Sequence, residues 1–290
     1  GEPLSYLDTA TRVIVPESSC VASVLVLAWC QFASEEISMP RLIVLGAAAA
    51  LPEADRENTF MALVGDQAAV LIDCAGNPIQ RLRRAGVDLA RLDGLIVTHH
   101  HPDHVYGVPM LFLGLWLSGR RSPFHVFAPP RTLRAVEAIM DALEWKTWPG
   151  LFPVEFHEVP LAEGVTVLDW PDFRVLASPG VHMLPVISVR VEAKKTGGVL
   201  AYCCDTEPTP ALKPLAWQAD ILLHESVGPY PGHSSAAQAA ALAAEAGAKR
   251  LVLVHFKAEG PEGQAALLQE ARAFFSGPIE LALEGAVYDF

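Results

Sequence analysis

Residues 98–104 read Thr98-His99-His100-His101-Pro102-Asp103-His104. The embedded pattern His-x-His-x-Asp-His sets His99, His101, Asp103 and His104 into six consecutive positions, a ligand density that neither a core nor an ordinary surface requires. Ahead of it, Leu95-Ile96-Val97-Thr98 is a short β-favouring run. The chain is therefore expected to arrive extended, with His99 and His101 projecting to the same side and sharing one metal. Pro102 ends the run, and Asp103 and His104 stand where a helix would begin, displaced toward a second ion. Imidazole with carboxylate suits zinc, manganese and iron being the alternatives. A histidine-rich surface loop or tag-like tract is the competing explanation, and the interleaved Asp and preceding strand argue against it. His100 points the other way and is expected to be a bystander.

Four ligands do not complete two metal spheres, so the rest of the chain must supply more. At this point the sequence resembles the metallo-β-lactamase superfamily and, within it, the ribonuclease Z-like branch. The resemblance runs over residues 41–290 through Leu42-Ile-Val-Leu-Gly46, Leu71-Ile-Asp-Cys74, the Thr98–Gly107 stretch, His182 and Cys204-Asp205-Thr206. It continues through His224-Glu225-Ser226 and Gly232-His233-Ser234-Ser235 to Leu251-Val-Leu-Val-His255-Phe256. Each piece alone is weak; their order makes the resemblance specific. It implies two Zn2+ per chain, with His99, His101 and His182 on one, Asp103, His104 and His255 on the other, and Asp205 bridging both. It also implies a four-layer αββα sandwich of two mixed β-sheets, an α/β class.

The added positions make sense on their own. His182 lies in a Ser-Pro-Gly-Val-His loop, Asp205 ends the apolar run Val199–Cys204, and His255 ends Leu251–Val254. Ligands at strand ends are held by a rigid sheet while facing a common rim. Alone, such a strand-end His reads more readily as a hydrogen-bonded structural residue. Ser235-Ala-Ala-Gln238 is a capping-box pattern, so His233 stands just ahead of a helix start, fixed in direction. In the resembling family the His of this segment stabilises the transition state or protonates the leaving oxygen; a capping or loop role is the alternative. Glu225 is expected either to orient His233 or to serve as scaffold. Asp73 is placed to hydrogen-bond a ligand His and set its tautomer. His125 and His157 have no ligand-spaced company and read as structural.

Composition agrees with a soluble intracellular enzyme. The chain has 290 residues, 51% of them hydrophobic, enough for a large core in one domain. Its 5 cysteines are odd in number and irregularly spaced, which suggests a reducing, cytoplasmic compartment and no disulfide framework. None sits in a Cys-x-x-Cys pair, so a separate structural zinc site is not expected. Residues 1–38 lie outside the resemblance and read as an N-terminal extension of unknown role, Met39-Pro-Arg-Leu-Ile being a natural start for the hydrolase domain, residues 39–290. The apolar run Val21–Ala33 is too short to span a bilayer and poorly flanked for a secretory signal, so no membrane association is expected.

The coarse pattern alternates. Strands are expected near 42–46, 59–64 and 68–73, then a helix capped by Asn77, opened by Pro78 and ended at Gly86. A helix is expected from Tyr106 to Leu117, a strand near 124–128, a helix near 131–143, and strands at 154–158 and 172–177. Residues 186–193 and 198–204 form a hairpin through Lys194-Lys-Thr-Gly-Gly198. A strand, helix 234–247, strand 251–255, helix 263–275 and two terminal strands follow. Two mixed sheets face to face, helices outside and metals at one edge, satisfy this order.

Two zinc ions would lower the pKa of a bridging water, making hydroxide available near neutral pH to attack an ester centre. His233 would help the leaving group depart, and Asp103 would double as base. Ribonuclease Z grips transfer RNA with an arm between the positions matching His182 and Asp205; here only residues 183–204 intervene, and the hairpin uses nearly all of them. The net charge of −12 opposes a long polyanion, and Arg120, Arg121, Lys194, Lys195 and Lys257 offer only scattered positive charge. The family's Ser and Arg or Tyr after the last ligand are replaced by Lys257-Ala-Glu-Gly. A small phosphodiester or nucleotide-type substrate is therefore expected, and long RNA is not. A ribonuclease Z-like endonuclease, an arylsulfatase or lactone hydrolase, and a non-catalytic metal-binding protein are the alternatives. A glyoxalase-like thioesterase would need a helical domain after His255, and a larger RNA-processing nuclease an inserted domain; neither has room. A homodimer is expected only from the resemblance.

Overall fold

The computed structural model describes residues 39–54, 56–258 and 260–290. The N-terminal extension and its apolar run Val21–Ala33 lie outside these residues. Two seven-stranded sheets carry the fold. In the first, the order is β14 (Val287–Asp289), β1 (Arg41–Gly46), β2 (Phe60–Val64), β3 (Ala69–Ile72), β4 (Leu92–Ile96), β5 (Phe124–Ala128) and β6 (Val154–Glu158). In the second it is β13 (Ile279–Leu281), β12 (Leu251–Val254), β11 (Ile221–Glu225), β10 (Val199–Cys203), β9 (Ile187–Ala193), β8 (Phe173–Pro179) and β7 (Val165–Asp169). Both are mixed: β3 to β6 and β10 to β13 run parallel, and the remaining neighbours pair antiparallel.

Strand composition dictates the layering. Parallel strands bury both faces, so they read as unbroken apolar runs, with successive side chains entering different cores. Val70 and Ile72 of β3 join the core between the sheets, as do Leu200 and Tyr202 of β10 and Val252 and Val254 of β12. Ala69 and Leu71 face outward, where they meet Leu82 of α1 (Pro78–Arg84), Phe112 of α3 (Val108–Leu117) and Val136 of α4 (Pro130–Asp141). Ala201, Leu251 and Leu253 meet Leu215 of α5 (Leu212–Ala216), the alanine face of α6 (Ala236–Ala246) and Ala271 of α7 (Gly260–Arg272). The result is the expected αββα sandwich. Among the described residues no helix is long and apolar enough to cross a membrane.

Local signals held where they were strong. The Asn77 side chain accepts from Gln80 N with Pro78 at the first turn, and Ser235 and Gln238 form the full capping box. Four expectations shift. The β4 strand stops at Ile96, so the pleat does not align His99 and His101; the loop after it does. The helix expected over Tyr106–Leu117 is two, α2 (Pro102–Val105) and α3, parted at Gly107, which packs so closely that a Cβ there would lie 2.8 Å from the Ala75 carbonyl oxygen. The last helix starts three residues earlier than expected, at Gly260. Strand β7 was not expected; at the edge of its sheet, two of its five residues are exposed and its apolar signal is weak.

Candidate metal centre

The carboxyl ends of the parallel strands in both sheets open on one rim of the sandwich, the usual position for a site in such sheets. Asp73 follows β3, residues 97–104 follow β4, Asp205 follows β10, Glu225 ends β11 and His255 follows β12. His182 comes from the β8–β9 connection and His233 from the loop ahead of α6.

These loops bring together every ligand expected from the sequence. His101 Nδ1 lies 3.0 Å from His99 Nε2 and 2.9 Å from His182 Nε2. Asp205 Oδ2 faces this trio at 3.8 Å from His99 Nε2 and 3.9 Å from His182 Nε2. Its other oxygen, Oδ1, is 3.7 Å from His104 Nε2 and 3.4 Å from His255 Nδ1. Asp103 Oδ2 completes the second group, 3.4 Å from His104 Nε2 and 3.3 Å from His255 Nε2. One buried carboxylate thus divides its two oxygens between two sets of donors.

The donor chemistry fits divalent metal ions. The Nδ1 of His182 donates to the Gly232 carbonyl at 2.7 Å, so in its neutral form this ring turns a lone pair, not a proton, toward His101. Gly232 has φ +82°, and a Cβ there would stand 2.6 Å from that nitrogen, so only glycine allows the contact. His104 Nδ1 likewise donates to Asp73 Oδ2 at 2.8 Å, leaving Nε2 for the centre. The buried Nε2 of His104 and Nδ1 of His255 make no hydrogen bond at all, a costly state that a cation relieves. Burial, with help from the neighbouring imidazoles, holds His99 and His101 below the ordinary histidine range and hence neutral. Burial works against ionisation of Asp103 and Asp205, but His104 and His255 overcome it and keep both carboxyls well below the usual range.

The supporting structure is rigid. Asp73 and His255 adopt the left-handed backbone region, at φ +59° and +47°, which non-glycine residues seldom occupy. Asp73 also accepts from the Thr98 amide at 2.8 Å and its hydroxyl at 3.0 Å. His233 stacks over His255 with ring centroids 6.1 Å apart and meets His182 edge-on at 4.9 Å. Its Nδ1 lies 3.1 Å from Glu225 Oε1. Glu225 is fully buried and also accepts from the amides of Ser234 (2.7 Å), Val227 (3.0 Å) and Thr206 (3.3 Å), so it stands behind His233 and knits the loops together. Burial disfavours the charged form of His233, yet the Glu225 carboxylate raises it above the ordinary value.

Residues that sequence reasoning did not single out contribute as well. Glu207 accepts from the Gly232 amide at 2.8 Å and donates its own amide to the Val181 carbonyl, tying the His182 and His233 loops together. Its one local signal was its place two residues after Asp205. Cys204 lies behind His99, 4.0 Å from Nδ1, away from the donor face. His100 turns aside to Thr132 Oγ1 at 3.1 Å, as expected. Arg120 departs from expectation: it is buried and bonded to backbone carbonyls rather than adding to surface charge. His125 and His157, read as structural for want of ligand-spaced company, lie 3.1 Å from each other.

Comparison with known proteins places the chain in a family. Residues 69–256 match the family model described as "Beta-lactamase superfamily domain". A curated ribonuclease Z of Myxococcus xanthus is 29% identical over 86% of this chain and 97% of its own length. Among solved structures, the short form of human tRNase Z is 25% identical and superimposes with a TM-score of 0.69 over 86% of this chain and 98% of its own. The metallo-beta-lactamase fold protein YhfI of Bacillus subtilis, 20% identical, shares the fold with a TM-score of 0.72 over 87% of this chain and all of its own. The chain belongs to the beta-lactamase superfamily, as a metal-dependent hydrolase of its ribonuclease Z-like branch.

Proposed function

We propose that this chain is a dinuclear zinc phosphodiesterase acting on a small phosphodiester or nucleotide-type substrate. The observation that carries the reading is the division of Asp205 between two donor groups, His99, His101 and His182 on one side and Asp103, His104 and His255 on the other. Bound there, the metals supply a water deprotonated near neutral pH and positive charge against the developing oxyanion.

The chain's own groups do the rest. His233, oriented through Nδ1 by Glu225, presents its other ring nitrogen to the substrate and holds the proton for the leaving oxygen. Asp103, whose Oδ2 lies between His104 and His255, accepts a hydrogen bond from the attacking water and orients it. The small-substrate reading is supported by the segment between His182 and Asp205, where the chain builds only a short loop, β9, a turn and β10. The formal charge of −12 supports it too; Lys194 and Lys195 sit in the β9–β10 turn, at the opposite end of those strands from the rim, and pair with Asp169 (2.5 Å) and Asp66 (2.8 Å). A second reading, RNA endonuclease, is favoured by the curated relatives that bear the name ribonuclease Z.

A substrate panel tests both. Purified protein with its zinc counted is offered a chromogenic phosphodiester, an aryl sulfate, a lactone and a precursor transfer RNA. Zinc-dependent, preferential turnover of the phosphodiester, with two zinc ions assigned to the rim, is expected. Specific cleavage of precursor transfer RNA replaces this reading with the second, and turnover of the sulfate or lactone alone overturns the phosphodiesterase assignment.

A further inference from the structure

Strands β5 and β6 build a cluster that the catalytic rim does not use. Their parallel register sets His125 opposite Glu155 and Phe127 opposite His157. Cross-strand partners and residues two apart share a face, so all four side chains project to one side of the sheet. That side faces the inter-sheet core, where Phe127 is buried. The other three reach its margin, their side chains 30% (His125), 49% (Glu155) and 40% (His157) exposed, with Trp170 of the β7–β8 turn 6.2 Å from the His125 ring.

The donor atoms stand at ligand spacing. His125 Nδ1 is 3.1 Å from His157 Nε2 and 3.3 Å from Glu155 Oε2, and His157 Nε2 is 3.8 Å from the same oxygen. Two donors on one tetrahedral zinc, each bonded at about 2.0–2.1 Å, lie roughly 3.3 Å apart, so the triangle is nearly the face that such an ion would occupy. The His157 ring is stacked on Phe127 at 4.6 Å with a 17° interplanar angle, so packing sets its orientation. Neighbouring ladder positions hold the backbones.

We propose that His125, Glu155 and His157 form a peripheral site for a late first-row divalent cation, zinc foremost, with water completing the sphere. Two imidazoles and one carboxylate suit zinc, nickel and copper, whereas calcium and magnesium require oxygen donors. The site shares no residue with the catalytic cluster. It ties β6, the last strand of its sheet, to its only sheet neighbour, securing an edge otherwise open to slippage.

Zinc binding by the parent, His157→Phe and His125→Ala/His157→Phe proteins, each first stripped of metal, is followed by calorimetric titration and elemental analysis. Phe at 157 keeps the stack on Phe127, and circular dichroism confirms folding. The parent is expected to bind one equivalent more than either variant, with Glu155→Gln weakening that equivalent about tenfold or more. Because the readout is a difference, it does not depend on how many ions the catalytic rim holds, and chromogenic ester turnover stays the same throughout. Equal stoichiometry and affinity in parent and variants overturns the proposal.

Discussion

Asp73 Oδ2 lies 2.8 Å from Nδ1 of His104, and both side chains are fully buried. The carboxylate sets the tautomer of a ring whose other nitrogen has no hydrogen-bond partner. Replacing Asp73 by Asn keeps the left-handed backbone accessible but removes the charge. Zinc affinity is expected to fall about 10- to 100-fold, read by competition with a chromogenic chelator. Unchanged affinity would mean that Asp73 serves only the fold.

Glu225 and His233 separate stability from turnover. Glu225→Ala strands the amides of Thr206, Val227 and Ser234, at about 1–3 kcal/mol for each buried group left unpaired. A loss of about 3 kcal/mol lowers the melting temperature by roughly 6–12 °C in a domain of this size. His233→Ala is expected to shift stability by less than about 1 kcal/mol while lowering kcat about 10²- to 10⁴-fold with zinc content intact. Calorimetry beside steady-state kinetics distinguishes the two.

Removing the metal is expected to destabilise the fold as well as abolish turnover. Without it the rim buries several imidazoles around Asp205, and two of their nitrogens stay unpaired. Free zinc at a hundred times its dissociation constant stabilises by about 2.7 kcal/mol per site. Melting temperature should therefore rise with free zinc after chelation, and a flat response would refute the coupling.

Arg120 is a structural cation. It is only 8% exposed and donates to the carbonyls of Leu92 (2.7 Å), Ser122 (3.0 Å) and Pro123 (2.5 Å) and to Asp93 (3.0 Å). Arg120→Met is expected to cost about 2–4 kcal/mol in urea unfolding, with ester turnover unchanged once folded. Arg121, at the neighbouring position, should tolerate Met within about 0.5 kcal/mol.

Legibility followed the range of the interaction. The α1 cap at Asn77, the Ser235–Gln238 capping box and the β9–β10 hairpin were readable because each depends on residues a few positions apart. The break between α2 and α3 was not, since Gly107 is required by the carbonyls of Cys74 and Ala75 across the fold. Glu225 read ambiguously because its role depends on amides from two loops, Thr206 after β10 and Val227 and Ser234 after β11.

The amino-acid sequence alone determined which residue types crowd the rim. Spacing inside His99–His104 is covalent, and strand ends after unbroken apolar runs must emerge at one side of a two-sheet core. Tertiary structure decided the rest. The division of the Asp205 oxygens between two donor groups arises because loops from both sheets converge on it. The meeting of His125 with Glu155 and His157 arises from the β5–β6 register, since residues some thirty positions apart become neighbours only when backbone hydrogen bonds align their strands.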